Sequence, residues 1–160
     1  SRGLGDVYKR QRHLIRTREL QRETGGFTEF VGLPFVHMAS PIYLRKGARR
    51  GPTFRENLLV HAIARIVYHG YIDNIQASWV KIGLDGMKQM LQAGVNDVGG
   101  TLNGENISRA AGAKHGQMLG KSQFEELCQP LGRELIQRTT LYKAHQGPQG
   151  QRKHIPVAAE

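Results

Sequence analysis

Two stretches of this chain share one pattern, and that pattern narrows its fold more than any other feature. Residues 73–81, Asp-Asn-Ile-Gln-Ala-Ser-Trp-Val-Lys, read as a strand over 74–80 that begins apolar and ends polar. After one short helix, residues 96–101, Asn-Asp-Val-Gly-Gly-Thr, read as another. Each follows a helix-like segment, which is the grammar of repeated β-α units in an α/β protein with parallel strands. Period-two alternation puts Asn74, Gln76 and Ser78 on one face of the first strand and Ile75, Ala77 and Trp79 on the other. Two amides and a hydroxyl in a row on a buried strand need hydrogen-bond partners once they leave water. A side chain, an ordered water or a ligand would serve.

The 160 residues, 39% of them hydrophobic, suffice for one domain-sized core. No apolar run reaches the roughly 18 residues of a membrane span, and no apolar segment follows the charged N-terminus as a secretory signal requires. Cys128 is the single cysteine, which excludes an intrachain disulfide and fits a reducing, cytoplasmic setting. The net charge of +10 raises the possibility of a basic nucleic-acid-binding module. Half of that excess lies on the two ends, and one further knot is formed by Arg45, Lys46, Arg49 and Arg50. Aromatic interleaving is missing, so no nucleic-acid partner is expected, and no membrane partner either.

Residues 1–11 show no clear period and resemble a translated adaptor, so a non-native leader is expected there. The domain proper is expected over 12–142. A helix from Arg12 to Thr24 uses Leu14, Ile15 and Leu20 as its apolar positions and stops at Gly25-Gly26. Residues 27–33 read as a strand closed by Pro34, and 34–52 as a long connection carrying His37, Tyr43 and the basic knot. Thr53-Phe-Arg-Glu56 has the spacing of a capping box and opens a helix that ends at Gly70. Leu59, Ile63, Ile66 and Val67 form its apolar stripe; Asn57, His61, Arg65 and Tyr68 share the opposite side, where His61 reads as solvated or packing rather than as a ligand.

A helix over Leu84–Ala93 turns Met87, Met90 and Leu91 inward. Gly99 and Gly100 close the second polar-ended strand, either in a plain tight turn or so that the backbone can approach a ligand. A helix follows over Glu105–Ala111, with Glu105 and Arg109 spaced for a surface pair and free amides at its start. Gly112–Gly120, with His115, reads as a loop. Ser122-Gln-Phe-Glu125 repeats the capping pattern ahead of a helix to Leu131, Leu135–Tyr142 reads as a fourth strand, and 143–160 as a disordered tail. The histidines and Cys128 never fall into metal-ligand spacing, so no metal ligand is assigned, and phosphate-loop, dinucleotide and nucleophile-elbow motifs are absent. Motif chemistry alone gives a soluble α/β unit whose strand ends suit a small-molecule site.

Phe27-Thr-Glu-Phe-Val-Gly-Leu-Pro-Phe-Val-His37, Gly51-Pro-Thr-Phe-Arg-Glu56, Asn74-Ile-Gln-Ala-Ser-Trp-Val-Lys81, Gly94-Val-Asn-Asp-Val-Gly-Gly-Thr101, Glu105-Asn-Ile-Ser-Arg-Ala-Ala-Gly112 and Gln137-Arg-Thr-Thr140 carry a resemblance. Together they are similar to the C-terminal half of the FO synthase family, radical S-adenosylmethionine enzymes of deazaflavin and coenzyme F-420 biosynthesis. The tyrosine-using 4-hydroxyphenyl transferase subfamily is the nearer match, and menaquinone-pathway radical cyclases share much of the pattern. The resemblance covers about residues 13–142 in unbroken order.

What the resemblance implies is the rear half of a (β/α) TIM-type barrel, inactive alone, that pairs with an N-terminal half. Its implied cofactors are S-adenosyl-L-methionine and a 4Fe-4S cluster; its implied substrates are L-tyrosine and 5-amino-6-(D-ribitylamino)uracil. The family's Cys-x-x-x-Cys-x-x-Cys cluster motif is not in this chain, and Cys128 has no companions. Barrel sites lie at the C-terminal strand ends, where Ser78, Lys81, Gly99, Gly100 and Thr101 would cluster, with Asn74 and Gln76 lining the interior. Gln76, Ser78, Asp97 and Thr101 are expected to hydrogen-bond substrate or the adenosyl cofactor, and Glu29 and His37 to bound the same pocket. Buried structural hydrogen bonding is the other role open to them, and no catalytic residue is assigned.

Overall fold

The computed structural model describes residues 2–102, 106–114 and 118–143, with side chains from Tyr8 onward. Three stretches run parallel and side by side. β1 (Phe30–Val31) pairs with β2 (Ile75–Gln76) in the register Phe30↔Ile75 and Val31↔Gln76, and Gln76 bridges to Asp97 in the same direction. Backbone bonds extend this third contact, from Asp97 N–H to Ile75 O at 3.2 Å and from Ala77 N–H to Asp97 O at 3.1 Å. The expected strands at 27–33, 74–80 and 96–100 are therefore neighbours, with much shorter ladders than the sequence suggests. The fourth is not a strand of this sheet. Residues 135–137 carry no regular structure, Arg138 makes no more than an isolated bridge, and 139–143 fold into a turn in which Thr139 N–H donates to Lys143 O at 2.8 Å and Tyr142 N–H to Thr139 O at 3.1 Å.

Helices pack on one side of the sheet. α1 spans Arg2–Thr24. It starts ten residues before the expected Arg12, because the lysines, arginines and glutamines of this proline-free stretch are good helix formers. Its stop is as expected, with Gly25 N–H bonded to Gln21 O at 2.8 Å. Leu14 is its core residue, while Ile15 and Leu20 are exposed. The 34–52 connection contains a one-turn helix, α2 (Pro41–Leu44), and the basic knot after it lies on the surface.

α3 (Phe54–Val67) starts with the expected capping box. Thr53 Oγ1 accepts from Glu56 N–H at 3.2 Å, and Glu56 Oε2 accepts from Thr53 N–H at 2.7 Å. Its buried face is the reverse of the one the apolar stripe predicts. Leu59, Ile63 and Ile66 are 49%, 43% and 76% exposed, whereas Asn57, His61, Ala64 and the following Tyr68 are buried. On that face His61 Nδ1 has a local partner, while His61 Nε2 and the Tyr68 hydroxyl are buried with no hydrogen-bond partner among the described residues, so only part of the penalty for burying polar groups is offset. His61 Nδ1 lies 2.8 Å from Asn57 O, Tyr68 packs against Phe30 at 5.1 Å between ring centroids, and Ala64 leaves room for close approach. Arg65 pins the helix to the sheet by donating to Gly94 O at 2.6 Å, Asp73 O at 2.8 Å and Asn96 Oδ1 at 2.6 Å.

α4 (Trp79–Gln92) begins five residues earlier than expected, so Trp79 and Val80 are helical rather than strand residues. Gly83 interrupts it with φ 72° and ψ 175°, a conformation open to glycine alone, and the second half is the expected Met87, Met90 and Leu91 helix, all three buried. α5 is a single turn (Ile107–Ala110), so it offers no extended row of free amides. α6 (Lys121–Cys128) continues as a 3-10 turn over Gln129–Leu131. Its cap is Gly120, whose N–H donates to Gln123 Oε1 at 2.9 Å, two residues before the expected Ser122. Tyr68, Ile75, Met87, Met90, Val95 and Phe124 centre the core between the sheet and α3, α4 and α6. Among the described residues no helix is long and apolar enough to cross a membrane. Glu105, His115 and the 144–160 tail lie outside the described residues.

Candidate functional site

Strand alternation sorts the sheet into two faces. Phe30, Ile75 and Ala77 turn toward the helices, the last two fully buried. Val31, Gln76 and Asp97, paired side by side, turn the other way, and Glu29 shares their face. This second face carries the polar groups.

Asp97 is its hub, 8% exposed. Oδ1 accepts from Gly99 N–H at 2.8 Å. Oδ2 accepts from Arg138 Nε and Nη2, each at 2.7 Å, and lies 2.6 Å from the Tyr142 hydroxyl. The same hydroxyl contacts Glu29 Oε2, while Arg138 Nη2 stands 3.8 Å from that oxygen. A phenol has one proton to donate, so the two carboxylates divide it. The Arg138 guanidinium also lies 4.0 Å above the Tyr142 ring centroid, in cation-π range. Residues 138–142 thus cross the polar face and knit Glu29 to Asp97.

Electrostatics follow from this packing. Burial works against the Arg138 charge, yet the hydrogen bond to Asp97 and the negative charges around it prevail and raise its pKa. Burial, then the hydrogen bonds to Asp97 and Glu29, push the Tyr142 phenol well above its usual value.

Beside the cluster, beyond the carboxyl ends of the strands, lies a cleft of about 230 Å³ walled by Val31, Leu33, Gln76, Ser78, Trp79, Gly99 and Gly100. Ligands in parallel α/β sheets sit at such strand ends. Gly99 has φ +75°, and a Cβ there would lie 3.3 Å from Gln76 Nε2, so both backbone and space call for glycine. Trp79 Nε1 donates to Gly100 O at 3.0 Å and fixes this loop. The cleft is smaller than the roughly 300–1,000 Å³ of a typical ligand pocket.

Of the residues singled out in the sequence, Glu29, Gln76, Ser78, Asp97, Gly99 and Gly100 gather around the cluster and cleft. Asn74 Nδ2 donates to Thr28 O at 2.7 Å and braces β1. Thr101 is exposed beyond the cleft. His37 packs instead in the 34–52 connection, edge-on to Tyr43 at 4.8 Å. Lys81, in the first turn of α4, donates to Ser108 Oγ at 3.1 Å. Arg138 and Tyr142 are the members that sequence reading missed. The only signal for Arg138 was the Gln137-Arg-Thr-Thr140 match, and Tyr142 entered only as the last residue of the expected fourth strand; neither gave a hint of its partners.

The described residues do not fit an iron-sulfur cluster. Among the described residues no group of three or more His, Cys, Asp or Glu side chains is placed to hold a metal. Cys128 is buried, and burial raises its thiol pKa, opposite to what a thiolate ligand needs.

These features define a parallel α/β unit with a polar cluster on one sheet face next to a strand-end cleft. Residues 24–149 match the family described as the CofH/MqnC C-terminal region, and the chain belongs to that family. FO synthase of Nocardia farcinica is 55% identical over 130 residues, which cover 81% of this chain and 15% of that protein. The 5-amino-6-(D-ribitylamino)uracil--L-tyrosine 4-hydroxyphenyl transferase of Methanopyrus kandleri is 51% identical over 131 residues, 82% of this chain and 36% of that protein. FO synthase of Streptomyces coelicolor is 49% identical over 130 residues. The chain thus spans well under half the length of the relatives it matches.

Proposed function

We propose that this chain supplies one wall of the substrate pocket of an FO-synthase-type transferase, within a larger cytoplasmic (β/α) barrel acting on L-tyrosine and 5-amino-6-(D-ribitylamino)uracil. One observation carries the reading: in a member of this family, a single carboxylate on the polar sheet face, Asp97, gathers Gly99, Arg138 and Tyr142 beside the strand-end cleft. Glu29 and Asp97 offer acceptors to a substrate, Gln76 and Ser78 an amide and a hydroxyl, and Gly99 and Gly100 close backbone approach. Asn74 braces β1, and Thr101 and His37 lie outside this wall. S-adenosyl-L-methionine and a 4Fe-4S cluster accompany this reading as the family's radical-generating pair, with the cluster's ligands supplied by a part of the enzyme other than these residues. The menaquinone-pathway reading has no specific observation behind it.

The test is a graft. Residues 13–142 replace the matching region of the Methanopyrus kandleri transferase, and 4-hydroxyphenyl transfer from L-tyrosine is measured. Turnover is expected to persist and to fall by about a hundredfold on Asp97→Asn, as positioning is lost. A folded graft that is inert, or one indifferent to Asp97→Asn, contradicts the proposal.

A further inference from the structure

The side chain of Tyr142 is held unlike a surface tyrosine. Its hydroxyl lies between the carboxylates of Glu29 and Asp97, and its ring lies under the Arg138 guanidinium at 4.0 Å. Its backbone is left-handed, with φ 56°, a conformation uncommon outside glycine and asparagine. The backbone therefore accepts strain while the side chain keeps its hydroxyl between two carboxylates. An acceptor for the hydroxyl proton and a cation over the ring face are what a phenol-recognising site can use.

We infer that Glu29, Asp97 and Arg138 form a cradle for a phenol ring, and that Tyr142 fills it as an internal stand-in which a phenolic ligand displaces. The inference rests on the proposed transferase reading in one respect, that the natural phenol is the side chain of L-tyrosine. In the filled state the 138–142 segment lies across the polar face and closes it. In the open state Tyr142 leaves, and Arg138 remains over the incoming ring. Nothing covalent changes: Tyr142 leaves with its own phenolic proton, and the incoming phenol offers its proton to the same two carboxylates.

Tyr142→Gly empties the cradle and relieves the left-handed backbone. The 160-residue chain and this variant are titrated with p-cresol and with toluene, followed by saturation-transfer NMR. The variant is expected to bind p-cresol about tenfold more tightly than the parent chain does, and about tenfold more tightly than it binds toluene, because only the hydroxyl meets a carboxylate. Asp97→Asn added to Tyr142→Gly should abolish the gain. Should Tyr142→Gly fail to fold, Tyr142→Phe, which keeps the ring and gives up the hydroxyl, is held to the same comparison and should also gain affinity. No gain over the parent, or equal affinity for toluene, overturns the inference. Phenol binding in a grafted transferase without turnover would remove the transferase reading and leave the cradle; turnover without phenol binding would do the reverse.

Discussion

Asp97 and Arg138, 41 residues apart in sequence, meet through two 2.7 Å contacts on one carboxylate oxygen, with Asp97 almost out of solvent and Arg138 about one-third exposed. The pair ties the end of the described chain to the third parallel stretch of the sheet. It also positions Tyr142, since the guanidinium that bonds Asp97 lies over that ring.

Asp97→Asn keeps an acceptor for Gly99 N–H and removes the charge Arg138 faces. Solvent screening on the Arg138 side moderates the loss, so the expected destabilisation is about 2 kcal/mol. Urea unfolding measures it, and a change within error of zero would mean that the pair contributes nothing to the fold.

Gly32 sits against the buried ring of His61, where a Cβ would lie 2.9 Å from Cε1. The ring has little freedom to yield, because Nδ1 is engaged by Asn57 O. Gly32→Ala should destabilise by about 2 kcal/mol through overpacking. In a His61→Ala background the same change should cost about 1 kcal/mol less, the coupling expected of residues in contact. Additive costs in that cycle would rule out the contact.

Cys128 is buried in the core, and its thiol pKa is raised by that burial, with Arg133 opposing the shift. Thiolate is the reactive form, so the native chain at pH 8 should react with a disulfide reagent at least about tenfold more slowly than the unfolded chain. Equal rates would place Cys128 at the surface.

Thr53→Ala removes one half of the α3 capping box and should cost about 1 kcal/mol near neutral pH. Glu56, the other half, has its carboxyl pKa lowered from 4.5, first by the Thr53 backbone bond, then by the Thr53 hydroxyl and Arg10. A lowered carboxyl stabilises the fold above its unfolded pKa, and that contribution fades as pH falls through the folded value. The difference between Thr53→Ala and the parent should therefore shrink on acidification. A constant difference would mean that the box does not act as a unit.

Features set by neighbours in sequence were legible before any coordinates. The Thr53 and Glu56 cap, the Gly25 stop and the inward Met87, Met90 and Leu91 depend on spacing within one or two turns. The alternation of Asn74 to Ser78 likewise anticipated which side chains leave the helical side of the sheet. Periodicity failed on α3. Both of its faces satisfy a helical repeat, and the choice was made by contacts with Phe30, Gly94 and Asn96, which lie far away in sequence. The strand pattern over 74–80 ran on into Trp79 and Val80, which instead open α4, because two ladder pairs suffice where the neighbouring strands are as short. Family resemblance drew attention to Glu29 and Asp97. Arg138 and Tyr142 stayed hidden because their role exists only once 113 residues of chain bring Tyr142 back to Glu29.

On the proposed reading, the polar sheet face around Asp97 receives the aromatic substrate. Calorimetric titration of L-tyrosine into the grafted transferase, with and without Asp97→Asn, tests it most directly. The substitution should weaken tyrosine binding by about tenfold or more while the graft stays folded. Unchanged affinity in a folded Asp97→Asn graft would contradict it.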